Sequence, residues 1–208
     1  MKITNVYPVP LFLDFRRPYH WAGRVDHGAA VLLVRVETDE GLVGWGESIA
    51  PALGTGALGL LEAVIPGFIG RSPFDIERLM WSARLLGGFN DVPRMAALTL
   101  AGLEMALWDV IGQAAGRPVY QLLGGAFRSE VDYFGFPQGD AAEELAASAA
   151  AAVASGHSVI YLKVGRGESR DLENTAAVRS VIGDRRLRLD ANEAWDPATA
   201  IRMINLLS

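Results

Sequence analysis

The chain has 208 residues, 50% hydrophobic and 21% charged, the balance of a globular protein with a sizeable core rather than of a disordered or fibrous one. A net charge of -5 offers no basic face to nucleic acid, and the absence of cysteine removes disulfides, thiolate catalysis and zinc-thiolate sites. The opening MKITNVYPVP lacks the apolar run of a signal peptide and no window holds 18 uncharged apolar residues, so a cytoplasmic protein with no membrane partner is expected.

Three β-like runs come first: Ile3 to Leu13, Ala29 to Glu37 and Leu42 to Glu47. Thr38-Asp39-Glu40-Gly41 joins the last two, which predicts a hairpin within an antiparallel meander. Between the first two runs, RRPYHWAGRVDHG reads as a loop rich in His20, Trp21, Arg24 and His27. A loop this basic and aromatic suits closure over an anionic substrate, and equally a surface or oligomer contact.

Helical texture begins at Pro51. Helices are predicted over roughly Gly59 to Ile65, from Pro73 to about Leu86, and from Asp91, an N-cap with Pro93 in the first turn, to a stop at Gly116 and Pro118. The apolar spacing of Met95, Leu98, Gly102, Met105 and Ile111 marks a core face on the last of these. Glu104 and Asp109, which interrupt it, read as structural hydrogen-bonding groups.

A second rhythm follows a boundary around Gly124 to Arg128. VDYFGF, SVIYLKVG and LRLDAN read as strands, each followed by a helical stretch. Asp140 and Glu143 have capping-box spacing, and Gly156 and Gly183 are placed to stop the first two helices. Strict alternation implies a parallel sheet with right-handed crossovers. Residues 1–126 are therefore expected to form an α+β domain, an antiparallel meander plus helices, and residues 127–208 the first three βα units of a barrel-type domain. A complete eight-stranded barrel needs roughly 250 residues, so the chain is expected to be the first part of a longer one.

Strand alternation sorts SVIYLKVG into two faces. Ile160, Leu162 and Val164 suit packing under helices, while Val159, Tyr161 and Lys163 share the face that points into a barrel. Lys163 lies near the strand's C-terminal end, where barrel active sites lie. It either snorkels to water from the strand end or serves, partly desolvated, as a general base. In LRLDAN the inward set is Arg188, Asp190 and Asn192. Asp190 is a hard oxygen donor suited to Mg²⁺, or else a partner for Lys163, with Asp196 the better cap for the next helix. His157 begins its strand far from Lys163 and reads as a polar residue at the barrel's bottom. Gly165, Arg166 and Gly167 lack the spacing of a phosphate loop.

The order GLVGWGES, ALTLAGLEMALWDVIGQAAGRPVYQLLGG, YLKVG and LRLDANEAW resembles the enolase superfamily, in its mandelate racemase and muconate lactonizing enzyme branch. The resemblance runs over essentially the whole chain. It implies an α+β capping domain followed by a modified TIM barrel, a bound Mg²⁺, and abstraction of the proton α to a carboxylate through an enediolate. The small substrate would be a hydroxy acid or sugar acid, and the protein a homo-oligomer. By position Lys163 is similar to the family's catalytic base, at the second lysine of its K-x-K pattern, and Asp190 to its first metal ligand. Asn192 would adjoin the metal and substrate, with His20, Trp21 and Arg24 screening the substrate. Tyr161 stands where the pattern has its first lysine, and is carried as a catalytic candidate through its hydroxyl. Racemisation or epimerisation, dehydration of an acid sugar and cycloisomerisation all agree with this resemblance. A non-catalytic relative serving in association is the alternative from another class.

Overall fold

In the computed structural model, which describes residues 1–49, 55–86 and 93–207, the predicted meander is present with a longer reach. Strands β1 (Ile3–Trp21), β2 (Arg24–Thr38) and β3 (Val43–Ile49) form a sheet in that order. β2 and β3 are antiparallel, with Val34 opposite Gly46. The expected loop at RRPYHWAGRVDHG is instead the far end of the β1–β2 hairpin. Ala22 and Gly23 close it at φ 41° and 72°, the positive dihedrals a two-residue turn requires to follow strand twist. An Ala-Gly pair is a weak turn signal because alanine seldom adopts that conformation, so the sequence read as a loop.

Residues divide into two compact units, the first comprising Met1–Leu13 and Ala29–Phe127, the second Asp14–Gly28 and Arg128–Ser208. The distal hairpin thus packs with the second unit.

In the first unit the helices are α1 (Thr55–Val64), α2 (Ile76–Leu86), α3 (Pro93–Ala115) and the single turn α4 (Val119–Leu122). One face of β2, Leu32, Val34 and Val36, is buried with Ile3, Leu61, Phe68, Leu103 and Leu107 in one apolar core. The strand β3 lies directly on α3. A Cβ on Gly46 would fall 2.0 Å from the Gly102 carbonyl oxygen, and one on Gly44 would fall 2.1 Å from that of Ala106, so only glycine permits this approach. The helix also satisfies the strand's outer edge: the Trp45 N–H donates to Asp109 at 2.9 Å, and Gln113 Nε2 donates to the Val43 carbonyl at 2.7 Å. Asp109 is thus structural, as expected.

Gly102 and Ile111 of the predicted core face of α3 are buried, but the contact with β3 shifts the rest of that face. Ala96, Thr99, Leu100, Leu103, Ala106, Leu107 and Val110 are buried, whereas Met105 is exposed and Met95 and Leu98 are only half-buried. Small side chains, not the largest apolar ones, meet β3. Among the described helices α3 is the one long and apolar enough to cross a membrane; here it is the core helix. Its predicted N-cap, Asp91, lies outside the described residues, and Gly116 at φ 61° ends it.

The second unit holds α5 (Ala142–Ala154), β4 (Val159–Lys163), α6 (Glu168–Ile182), β5 (Arg186–Asp190) and α7 (Pro197–Leu207). β4 and β5 are parallel, with Tyr161 opposite Arg188 and Lys163 opposite Asp190. Ile160, Leu162 and Val164 are buried under Leu145, Ala149, Val178 and Ile182, which fixes the strand face as expected. The predicted strand VDYFGF shrinks to one parallel bridge between Gly135 and Ile160. Its bonds are Gly135 N–H to Val159 O and Tyr161 N–H to Gly135 O, both 2.8 Å. Pro137 offers no N–H to extend the ladder.

The capping pair moves by one residue. Glu144, not Glu143, accepts the Asp140 and Ala141 N–H groups at 2.7 and 3.4 Å, because the helix begins one residue later than predicted, with Ala141 as N-cap and Glu144 at its third position; the Asp140 carboxylate is taken by Arg166 and Arg170. Asp196 caps α7 through the Thr199 N–H at 2.7 Å. The Gly165 and Arg166 amides donate to buried Asp171 at 2.8 and 3.0 Å, so this turn's donors serve an internal carboxylate and none faces a phosphate. His157 Nδ1 lies 2.9 Å from the Tyr133 carbonyl, a structural contact.

Candidate active site

Parallel pairing in register aligns the two inward strand ends. The Lys163 side chain is only 14% exposed, which removes the snorkelling alternative. Its Nζ donates to Asp190 Oδ2 at 2.5 Å and to Asn192 Oδ1. The Tyr161 hydroxyl donates to the same Asp190 oxygen, and Lys163 Nζ lies 5.2 Å from the Tyr161 ring centre, within cation–π reach. The Asn192 N–H donates to Asp190 Oδ1 at 2.8 Å. Asn192 holds φ 47°, a left-handed conformation asparagine tolerates better than most side chains, and this turns its backbone and amide toward the strand ends.

Charge follows from this geometry. Burial pushes the Asp190 carboxyl up, but the Lys163 ammonium, the Tyr161 hydroxyl and the Asn192 N–H outweigh it and hold the group at about 2. Burial, then the adjacent Asp190, pushes the Tyr161 phenol up to about 12. At neutral pH the site therefore presents an ionised carboxylate and a neutral phenol that donates. Asp190 and Asn192 are hard oxygen donors of the kind Mg²⁺ accepts. Among the described residues no three His, Cys, Asp or Glu side chains converge. The donor set thus fits as part of a hard-cation site, contributing one carboxylate.

Behind this cluster stands a stack of rings. Phe134 and Phe136 lie 4.6 and 5.2 Å from Tyr161, both near parallel to it. Tyr19, from the distal hairpin, lies 5.5 Å from Phe136, with Trp21 stacked on it at 6.4 Å and Phe15 edge-on at 6.3 Å. Burial, then Tyr161 and Asp190, pushes the Tyr19 phenol up, which puts it within the electrostatic reach of the strand ends.

The structure thus gathers Lys163, Tyr161, Asp190 and Asn192. The three hairpin candidates have partners of their own. His20 Nδ1 is 3.2 Å from Asp140 Oδ1, Trp21 Nε1 donates to Asp26 at 2.6 Å, and Arg24 lies 5.2 Å from the Trp21 ring centre. Phe134, Phe136 and Tyr19 escaped the sequence reading. The i, i+2 spacing of Phe134 and Phe136 was a usable signal, since it puts both on one side of an extended segment; nothing in the sequence ties Tyr19 to them.

Two family models match the chain: "Mandelate racemase / muconate lactonizing enzyme, N-terminal domain" over residues 4–124, and "Enolase C-terminal domain-like" over residues 144–208. A hydrophobic dipeptide epimerase of Enterococcus faecalis is 31% identical, covering 100% of this chain and 58% of the relative. The solved structure of a dipeptide epimerase from E. faecalis V583, complexed with Mg and the dipeptide L-Leu-L-Tyr, superposes with a TM-score of 0.87 at 31% identity, over 100% of this chain and 58% of that one. A D-galactarolactone cycloisomerase of Agrobacterium fabrum is 33% identical over 98% of this chain and 55% of the relative. A cis-3-hydroxy-L-proline dehydratase of Roseibium aggregatum is 32% identical over 100% and 58%. The chain spans less than two thirds of the length of each.

Proposed function

The chain belongs to the mandelate racemase and muconate lactonizing enzyme family of the enolase superfamily, and from that membership we propose that the protein removes the proton α to the carboxylate of a small organic acid. The observation that carries this reading is Lys163, an amine held at the C-terminal end of an inward-facing strand between an ionised carboxylate and an amide oxygen. Lys163 acts in its neutral form, having first lost a proton from the ammonium: the lone pair on Nζ takes the proton from the α-carbon and restores the ammonium, and the electron pair of the broken C–H bond moves onto the substrate carboxylate to give an enediolate. Returning the proton completes a racemisation or epimerisation; expelling a β-substituent completes an elimination.

Asn192 and Asp190 fix the position of Nζ, and Tyr161 supports Asp190 from the side where the family pattern has another lysine. Asp190 and Asn192 are the residues here that would hold Mg²⁺. When bound, Mg²⁺ supplies positive charge against the second negative charge that develops on the substrate carboxylate.

One observation favours a second, non-catalytic reading: Asp190 Oδ2 already accepts from both Lys163 and Tyr161. The two readings separate in D₂O. The full-length protein, stripped of metal with chelator and then given Mg²⁺, is expected to exchange the α-hydrogen of at least one acid in a panel of hydroxy and sugar acids, and only when Mg²⁺ is restored. Absence of metal-dependent exchange across the panel supports the non-catalytic reading.

A further inference from the structure

We propose that helix α2 is a self-association surface, on which a second copy of this chain docks antiparallel through Trp81. The proposal is independent of the chemistry at Lys163.

The helix has two apolar faces, and the first unit uses one of them. Ile76, Leu79, Met80 and Ala83 are buried in the core of that unit. On the opposite side Trp81 and Leu85 are 64% and 50% exposed, and Phe74, in the turn Pro73–Asp75 that leads into the helix, is 56% exposed. Their spacing of seven and then four residues sets all three along one stripe, the spacing of a helix–helix seam. A helix that is apolar on both sides is normally covered on both, and a contiguous apolar stripe left on a surface marks a contact.

The charges identify the occupant. Glu77 and Arg84 flank Trp81, four residues before it and three after; both are exposed and neither has a partner among the described residues. Arg78, the other cation of the helix, is already held by Asp75 at 2.7 Å. In a second copy related by a two-fold axis near Trp81, each Glu77 meets the Arg84 of the other helix, so the pair forms twice, as an isologous contact requires. A parallel partner would set Glu77 against Glu77 and Arg84 against Arg84, which like-charge repulsion disfavours. Phe74 and Trp81, each more than half exposed, together offer roughly 250 Å² of ring surface. A standard interface buries about 800 Å² per partner, so this seam anchors a dissociable association.

The test is sedimentation of the full-length protein over a micromolar concentration series, for the parent, Glu77→Arg, Arg84→Glu, and an equimolar mixture of the two variants, each checked for an unchanged circular dichroism spectrum. The parent is expected to associate, and each variant alone at least ~10-fold more weakly, since either reversal turns both attractive pairs repulsive. In the mixture every carboxylate again faces a guanidinium, so association returns to near the parent level. Trp81→Gln, which keeps the charges and removes the central ring, is expected to weaken association as well. A parent that does not associate overturns the proposal, as does association unchanged in either single variant or not restored in the mixture. Reversals that lower the unfolding midpoint while leaving association untouched place another part of the full-length chain on α2, and likewise overturn it.

Discussion

At the scale of single residues, Asp190 is the centre of the site because it accepts from three directions at once. Tyr161→Phe keeps the stack on Phe134 and Phe136 and deletes only the hydroxyl that donates to this carboxylate. With divalent ions chelated, denaturant unfolding is expected to show a loss of about 2 kcal/mol, the usual cost of a hydrogen bond to a charged group; no loss would mean that Lys163 and Asn192 satisfy Asp190 alone. Asp140 makes a pH-dependent contribution. Slight burial opposes ionisation, but the guanidiniums of Arg170 and Arg166 override it and hold the carboxyl below its ordinary 3.8. A depressed value means the contribution is complete above the unfolded-state pKa and is lost as pH falls through the folded one. Acid unfolding followed below about pH 4 should therefore be less steep in Asp140→Asn than in the parent, and parallel curves would contradict this. Lys163, Tyr161 and Asp190 were legible in the sequence because a period of two assigns every side chain of a strand to a face, whereas Asn192 lies past the end of β5 in a left-handed turn that brings it back to Lys163. Tyr19 and the partner of His20 were not, because their contacts join segments more than a hundred residues apart, to Phe136 and Asp140.

At the scale of elements, the tightest constraint is β3 on α3. Gly46→Ala must place a methyl group against the Gly102 carbonyl, 2.0 Å away, and neither backbone can retreat without breaking the Trp45–Asp109 and Gln113–Val43 bonds. A loss of about 3 kcal/mol is expected in thermal or chemical unfolding; a neutral effect would mean the strand and helix separate more easily than this packing implies. The opposite sign is expected at the hairpin turn, where Ala22 sits at φ 41°. Ala22→Gly relieves roughly 1 kcal/mol of left-handed strain, measurable as a raised unfolding midpoint. Both positions show where pattern reading stops. The helix α3 was evident from its length and its Pro93 and Gly116 ends, and Gly102 and Ile111 of its expected face are buried; Met95, Leu98 and Met105 are not, because apolar periodicity weighs size and the contact with β3 requires small residues. The hairpin's reach was hidden by a turn without Asn-Gly or Asp-Gly.

At the scale of the whole molecule, the order of a meander, helices and then βα units was readable because each has its own hydrophobic period and its own stop residues. VDYFGF misled because a proline and a close glycine contact cut its pairing to one bridge, a tertiary effect that local composition does not carry. The chain spans 58% of the length of the dipeptide epimerase it resembles, and the proposed chemistry belongs to the full-length protein. Its central claim is that Lys163 moves the proton. The most direct measurement is α-deuterium incorporation from D₂O, followed by NMR in the full-length protein with Mg²⁺ and the best substrate of the panel, for the parent and Lys163→Ala. The account predicts a fall in exchange rate of roughly 10²–10⁴-fold, the usual contribution of a general base, in a variant whose circular dichroism spectrum is unchanged. Exchange at the parent rate in folded Lys163→Ala would contradict it.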